Sequence, residues 1–175
     1  MSLAEPHPAR ANESTLAVGV LIVTATLVLV VTGVALFEGR VVYRSWFDLA
    51  SFPGFATYHA RFGRALLPWL PVPLALTTVL NVVLLRYAPR AVPRFAVVAA
   101  LIGQLVVVGV TVALAIPVQR ELSVPGHAPA EIDALVARLI TVNLWREIPG
   151  VLVALLFAWM LWRTARRPTL ASARP

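Results

Sequence analysis

The sequence predicts an all-α integral membrane protein, folded as a bundle of four transmembrane helices. Three observations lead to this fold class. The 175 residues are 59% hydrophobic and only 13% charged, and a soluble domain of this length could not bury so much apolar surface. Four apolar runs are each long enough to cross a hydrocarbon layer of about 30 Å. Charged and aromatic residues, with proline and glycine, separate these runs.

The residue content excludes several kinds of site. The chain has no cysteine, so disulfides, thiolate metal sites, iron–sulfur clusters and cysteine nucleophiles are ruled out. All of its basic residues are arginine, and the net charge is +7. These arginines flank the apolar runs and form no stripe on a soluble face. We therefore expect contact with anionic lipid headgroups and no binding of nucleic acid.

The first predicted span covers residues 16–37, after an N-terminal tail of residues 1–15. It contains no charged residue, as a helix in hydrocarbon requires. Residues 38–51 then mix charged residues with aromatic ones such as Tyr43 and Trp46. Because aromatic side chains favour the boundary between water and lipid, this stretch is predicted to be an interfacial loop.

The second predicted span covers residues 65–85 and follows an amphipathic helix at 55–67. Pro68, Pro71 and Pro73 fall near its start. A proline inside a helix removes a backbone hydrogen bond and clashes with the preceding turn. We therefore expect this second helix to be extended and kinked.

The third predicted span covers residues 95–118 and is followed by a loop at 119–129. A helix that begins just after this loop continues into the fourth span, residues 139–162, so that the fourth helix is also extended. Pro149 predicts a kink within it. Residues 164–175 form a polar C-terminal tail, and the membrane domain is therefore predicted to occupy residues 16–163.

Arginine counts predict the orientation of these spans. Four spans place both termini and the loop between the second and third spans on one side, which carries eight arginines against six on the other. The positive-inside rule then predicts a multi-pass protein of the cell membrane with both termini in the cytoplasm. The short loop contributes most to this assignment, with Arg86, Arg90 and Arg94.

Several polar residues fall at one predicted depth. Counting back from Arg163 at the helical rise places Asn143 and Glu147 roughly 24–30 Å away, near the outer edge of the hydrocarbon. Residues at the outer ends of the other three spans reach the same level. The spacing therefore predicts one outward-facing polar pocket above an apolar bundle. Its predicted members are Glu38, His59, Arg61, Arg64, Arg120, Asn143, Arg146 and Glu147.

Three sequence blocks carry a family resemblance. They are residues 55–62 (FATYHARF), residues 117–122 (PVQREL) and residues 139–146 (LITVNLWR). Together these blocks resemble bacterial four-helix membrane proteins of unknown function that are related to the anthrone oxygenase family. The resemblance covers residues 16–163. It implies the four-helix fold and, for the wider family, oxygenation of polycyclic anthrones to anthraquinones without a conventional cofactor. Where related bacterial sequences often have a histidine, this chain has Gln119, which argues against a metal site rich in histidine.

If the chain is such an enzyme, His59 is the candidate general base, because an imidazole changes protonation near neutral pH. Arg146 and Asn143 are the candidates that stabilise the oxyanion formed when the substrate loses a proton. The resulting carbanion attacks O₂, so neither a metal nor another cofactor is expected. The candidate substrate-binding residues are Glu38, Tyr58, Arg61, Arg120, Trp145 and Glu147.

The same residues fit other interpretations. A non-catalytic membrane protein could bind a lipid, a quinone or a partner subunit, with Arg146 and Glu147 as a structural ion pair. In that protein His59 would bond a loop carbonyl or Glu38. A transporter is less favoured, since no charged residue lies near the middle of a span. A metal site would combine His59 and His127 with a carboxylate, but no local spacing such as HxxxH supports it. No oligomeric state follows from the sequence.

Overall fold

A computed structural model describes the backbone of residues 8–166 and the side chains of residues 15–166. Within this range the chain forms four long helical segments that are apolar enough to cross a membrane, and the predicted four-helix fold is confirmed. The segments are Thr15–Leu49, Phe55–Tyr87, Arg94–Leu122 and Pro129–Ala165. Most of the predicted C-terminal tail lies outside the described residues, as do residues 1–7 of the N-terminal tail. Residues 8–15 of the predicted N-terminal tail are helical and belong to the first helix, which begins at Pro8.

The first segment continues well beyond the predicted span. Helix α1 (Pro8–Phe37) passes through a π-helical turn (Glu38–Val42) into helix α2 (Tyr43–Leu49). The predicted loop at 38–51 is therefore wrong for most of its length. The reason is amphipathicity, since Tyr43 and Trp46 stand at helical spacing and face the core, while Arg40, Arg44 and Asp48 are exposed. Tyr43 and Trp46 are fully buried.

The second segment is divided where the prolines cluster. Helix α3 (Phe55–Leu66) ends in a turn over residues 67–70, and helix α4 (Pro71–Tyr87) follows. Pro71 is the first residue of α4, where its missing N–H costs nothing and its fixed φ suits a helix. The kink predicted near the start of this span is thus a turn between two helices, and backbone hydrogen bonds such as that from Leu70 N–H to the Leu66 carbonyl, 3.0 Å, still cross it. This turn separates α3 from α4 at the outer end of the bundle.

The last two segments are longer than their predicted spans. Helix α5 (Arg94–Val110), a π-helical turn (Thr111–Ala115) and helix α6 (Ile116–Leu122) form the third. The predicted loop at 119–129 therefore begins later, at Ser123. Helix α7 (Pro129–Ala165) is the fourth segment and runs unbroken through Pro149.

Packing divides the bundle into an inner and an outer half. The inner core lies at the end near the chain termini, and residues such as Leu21, Leu84 and Phe157 fill it. The outer core surrounds Trp46 and Leu139. Between them Gln104 on α5 donates a hydrogen bond of 2.8 Å to the Thr77 hydroxyl on α4. In an apolar environment such a bond satisfies two polar groups and fixes two helices to each other.

Candidate functional site

A cavity of about 640 Å³ lies in the outer half of the bundle, between the α3–α4 segment and the α5–α6 segment. Val108 and Ser123 lie at its two ends on the α5–α6 side, and the helical rise puts them about 22 Å apart. The deeper walls are apolar, with side chains that include Leu66, Leu70, Leu74, Val108 and Ala115. The volume falls in the range of about 300–1,000 Å³ that is usual for small-molecule sites.

The mouth of the cavity is apolar at the depth of the hydrocarbon. Leu67, Val112 and Ile116 line the cavity and are also exposed on the outside of the bundle. In a membrane these side chains contact lipid tails. Arg64 and Arg120 line the cavity further out and are exposed as well, at a level where guanidinium groups reach headgroups and water. The opening of the cavity is therefore apolar at one level and lined by arginine further out.

The polar wall of the cavity centres on a buried ion pair. Arg146, which is 6% exposed, donates from Nη2 to Oε2 of Glu38 at 3.1 Å. The same nitrogen donates to the Tyr43 hydroxyl at 2.9 Å, and Gln119 donates to that hydroxyl from the α5–α6 side at 3.1 Å. Three of the four segments thus meet at Tyr43. The carboxylate, the guanidinium and the phenol all line the cavity.

A second ion pair lies behind the first. Asn143 accepts a hydrogen bond from Nε of Arg146 and donates one to Glu147, one turn further along α7. Glu147 also accepts a hydrogen bond of 2.9 Å from Arg40, whose side chain is largely exposed. The two carboxylates are therefore matched by two guanidinium groups. Charges buried in a low-dielectric region must be compensated in this way.

The backbone of the π-helical turn at Glu38–Val42 lies close to the side chains of Asn143 and Glu147. Gly39 is buried, and a Cβ atom at this position would collide with the Asn143 amide and the Glu147 carboxylate. Only a glycine allows so close an approach. Single π-helical turns often occur at functional sites, where they change which side chains face inward. Here the turn directs Glu38 into the bundle, although it stands among charged residues that face outward.

His59 forms the second polar feature of the cavity wall. It is 1% exposed, and its ring contacts Trp46 edge-on with centroids 4.7 Å apart. Its Nδ1 lies 2.8 Å from the Ser123 hydroxyl, which itself donates to the backbone carbonyl of Gln119 at 3.2 Å. A serine hydroxyl has a single proton to give. In the tautomer that donates from Nδ1 to Ser123 while Ser123 donates to the Gln119 carbonyl, Nε2 is the basic nitrogen.

Five of the ten residues predicted for the pocket or its site line the cavity, namely Glu38, His59, Arg64, Arg120 and Arg146. Asn143 and Glu147 lie behind Arg146 and support it through hydrogen bonds. The other three are not among the lining residues and lie mainly at the surface. Tyr58 is 40% exposed and Trp145 is 66% exposed, and Arg61 is exposed as well. The predicted shared layer therefore holds its polar residues in two groups, one inside the bundle and one outside.

Four polar residues of the cavity are absent from the predicted site. Tyr43 falls in the predicted interfacial loop, and Thr111, Gln119 and Ser123 are not predicted site residues. Gln119 and Ser123 stand four residues apart, so the sequence indicates that they share one face of a helix. Tyr43 stands three residues before Trp46, which indicates a shared helix face in the same way.

Comparison of the chain with protein-family models, curated proteins and solved structures finds no match. The resemblance to relatives of the anthrone oxygenases therefore stays a prediction. Among the side chains that the structure describes, residues 15–166, no three histidine, aspartate or glutamate residues are grouped so that they could hold a metal ion. Any function must be argued from the cavity itself.

Proposed function

We propose that the protein is a membrane enzyme that oxidises a lipophilic phenol or anthrone with O₂ inside this cavity. One observation carries the proposal. His59 is buried at the wall of an apolar cavity. Its Nε2 meets no group of residues 15–166 at hydrogen-bond distance and angle. An imidazole with a free basic nitrogen, beside a guanidinium and a phenol, can remove a proton and stabilise the anion that remains.

The proposed reaction converts one anthrone and one O₂ into one anthraquinone and one water. Nε2 of His59 takes a proton from the methylene carbon of the ring system. The electron pair left on that carbon forms a bond to O₂, and the imidazolium returns its proton to the resulting peroxide. Loss of water then breaks the O–O bond, removes the second hydrogen of the carbon and leaves the new carbonyl.

Arg146 is suited to hold the negative charge of the intermediate. Its Nε and Nη2 are used by Asn143, Glu38 and Tyr43, and Nη1 takes part in none of these bonds. A guanidinium fixed on one side and open on the other is already oriented for an oxyanion, so little reorganisation is needed during the reaction. Asn143 therefore acts as a positioning residue and not as a direct donor to the substrate.

Oxygen consumption by the purified protein tests the proposal. We expect uptake of O₂ with an anthrone, and we expect His59→Phe to lower the rate about 100-fold, which is the lower range for loss of a general base. Phenylalanine keeps a ring against Trp46, so the fold is expected to survive. His127→Phe is the matched control, because His127 lies in the loop before α7 and outside the cavity lining. Its rate should be unchanged.

Two results would contradict the enzyme assignment. Equal rates for His59→Phe and the unaltered protein would exclude His59 as the base. Saturable binding of anthrones or quinones with no O₂ uptake would instead indicate a non-catalytic binding protein. Thermal unfolding of each variant in detergent shows whether a lost rate reflects a lost fold.

We also propose that both termini are cytoplasmic and that the cavity lies in the outer leaflet of the cell membrane. The end of the bundle away from the cavity carries Arg163 and Arg166, which lie over the rings of Trp159 and Trp162. Arginine with tryptophan suits a membrane boundary, and an excess of arginine suits the cytoplasmic one.

Cysteine labelling tests this orientation without interference, because the chain has no cysteine of its own. Thr57→Cys introduces a thiol at the cavity end, and Tyr87→Cys introduces one at the other end, both at exposed positions. In intact cells a membrane-impermeant maleimide should label Thr57→Cys alone. Tyr87→Cys should require permeabilised cells. The opposite pattern would place the cavity on the cytoplasmic side.

A further inference from the structure

Two hydrogen-bond acceptors at the cavity wall lack partners. They are Oε1 of Glu38 and Nε2 of His59, and neither has a hydrogen bond of ordinary geometry to the part of the chain that the structure describes. Both side chains line the cavity, and both are at least 98% buried, with exposures of 2% and 1%. Buried polar groups are nearly always satisfied in proteins, so each such atom requires an explanation.

Glu38 and His59 can each present an acceptor to the cavity. Glu38 faces Arg146, whose guanidinium is always charged in proteins, and an ionised Glu38 compensates that buried cation and acts only as an acceptor. In the tautomer of His59 that donates from Nδ1 to Ser123, the lone pair of Nε2 is the second acceptor.

We infer that the cavity selects a lipophilic aromatic molecule with two hydroxyl groups, in its reduced, hydroquinone-like form, over the corresponding quinone. Two phenolic O–H groups supply the donors that Glu38 and His59 lack, while a quinone offers only further acceptors. The inference rests on the proposed function, since it assigns the substrate class to the same site. A site built to bond a hydroxyl discriminates strongly against an analogue without one, because the buried groups are then left unpaired.

The shape of the cavity supports the same ligand class. Its acceptors lie at the polar outer end, and apolar side chains such as Leu70 and Leu74 line the depth below. A dihydroxy ring at the outer end leaves room for an apolar ring system or chain beneath it. The quinone form of such a ligand has carbonyls in place of both hydroxyls and satisfies neither acceptor. The quinone form is therefore bound less tightly than the hydroquinone form.

Binding without oxygen tests the inference separately from catalysis. Calorimetric titration of the purified protein in detergent, under anaerobic conditions, compares an alkylhydroquinone, its dimethyl ether and the alkylquinone. We expect the hydroquinone to bind at least about tenfold more tightly than either analogue, a difference typical of one well-made hydrogen bond. The three compounds share their ring and apolar chain, and the quinone also matches the hydroquinone in size, so the comparison of these two isolates the two donors. It needs no variant and does not depend on any variant folding.

A pair of variants then locates the effect. Glu38→Gln should reduce the preference for the hydroquinone, because an amide can turn a donor toward the ligand. Asp48→Asn is the control, since Asp48 lies on the same segment as Glu38 at an exposed position and is not among the residues that line this cavity. It should leave the preference unchanged. If Glu38→Gln does not fold, His59→Phe gives the same test from the second acceptor.

The outcomes separate this inference from the proposed function. Equal affinities for hydroquinone, ether and quinone would overturn the inference, even if the protein consumes O₂ with an anthrone. A clear preference for the hydroquinone without any O₂ uptake would support the inference and contradict the proposed catalysis. A preference that Asp48→Asn removes as fully as Glu38→Gln would also overturn it, because the effect would then not come from the Glu38 acceptor.

Discussion

Replacing Arg146 with methionine is expected to destabilise the folded protein by about 3–5 kcal/mol. The change removes the cation that compensates Glu38 while the carboxylate stays buried, and it also removes the donor to Tyr43. Breaking one partner of a buried ion pair costs more than removing both, because the remaining charge has neither water nor a counterion. Thermal or denaturant unfolding in detergent micelles measures the loss.

Two further variants make this prediction specific. Arg138→Met changes the same residue type on the same helix at an exposed position, and it should alter stability by less than about 0.5 kcal/mol. The double variant Glu38→Gln with Arg146→Met should recover part of the loss, because no uncompensated charge then remains. If Arg146→Met were as mild as Arg138→Met, the buried pair would contribute nothing to the fold.

Replacing Gly39 with alanine is expected to cost about 3 kcal/mol, at the upper end for overpacking. The new methyl group would occupy the space of the Asn143 amide and the Glu147 carboxylate. These side chains cannot move aside freely, since Asn143 holds Arg146 and Glu147 holds Arg40. The same unfolding measurement applies, and loss of ligand binding should accompany it because Arg146 is displaced.

Gly33→Ala is the matched control for this substitution. Gly33 lies on the same segment, and a Cβ atom there meets no described atom within 4 Å. Alanine favours a helix over glycine by up to about 1 kcal/mol, so Gly33→Ala should be neutral or slightly stabilising. Similar losses at both positions would show that the effect is a general property of glycine in this helix and not a collision at the site.

The fold and the depth of the site were predictable because both depend on one-dimensional quantities. Apolar runs give the spans, and the helical rise places Glu38, His59 and Arg146 in one layer. Rotation about the helix axis is different. Successive residues lie about 100° apart, so Tyr58 and Trp145 share the depth of their neighbours His59 and Arg146 but face outward. Which side faces inward depends on neighbouring helices, and a single sequence does not specify these.

The failure at residues 38–51 has a different cause. The charged residues of this stretch predict a loop, but a helix can carry such residues on its exposed face, because its buried face needs only a few apolar positions. Tyr43 and Trp46 provide that face. The π-helical turn could not be expected either, because it depends on the close approach of Gly39 to α7. The one extra residue of this π-helical turn orients Glu38 toward the cavity.

The apolar mouth has a consequence for how affinity should be expressed. A ligand that enters from the bilayer is already dissolved in it, so the fraction of lipid that is ligand sets the occupancy of the cavity. Each methylene added to a ligand's chain favours transfer from water into the membrane by about 0.8 kcal/mol. The apparent affinity of ligands in a homologous series therefore rises with chain length when it is expressed per concentration in water. This rise needs no new contact to the protein. Counted per lipid, the same ligands would differ only by what the cavity itself recognises.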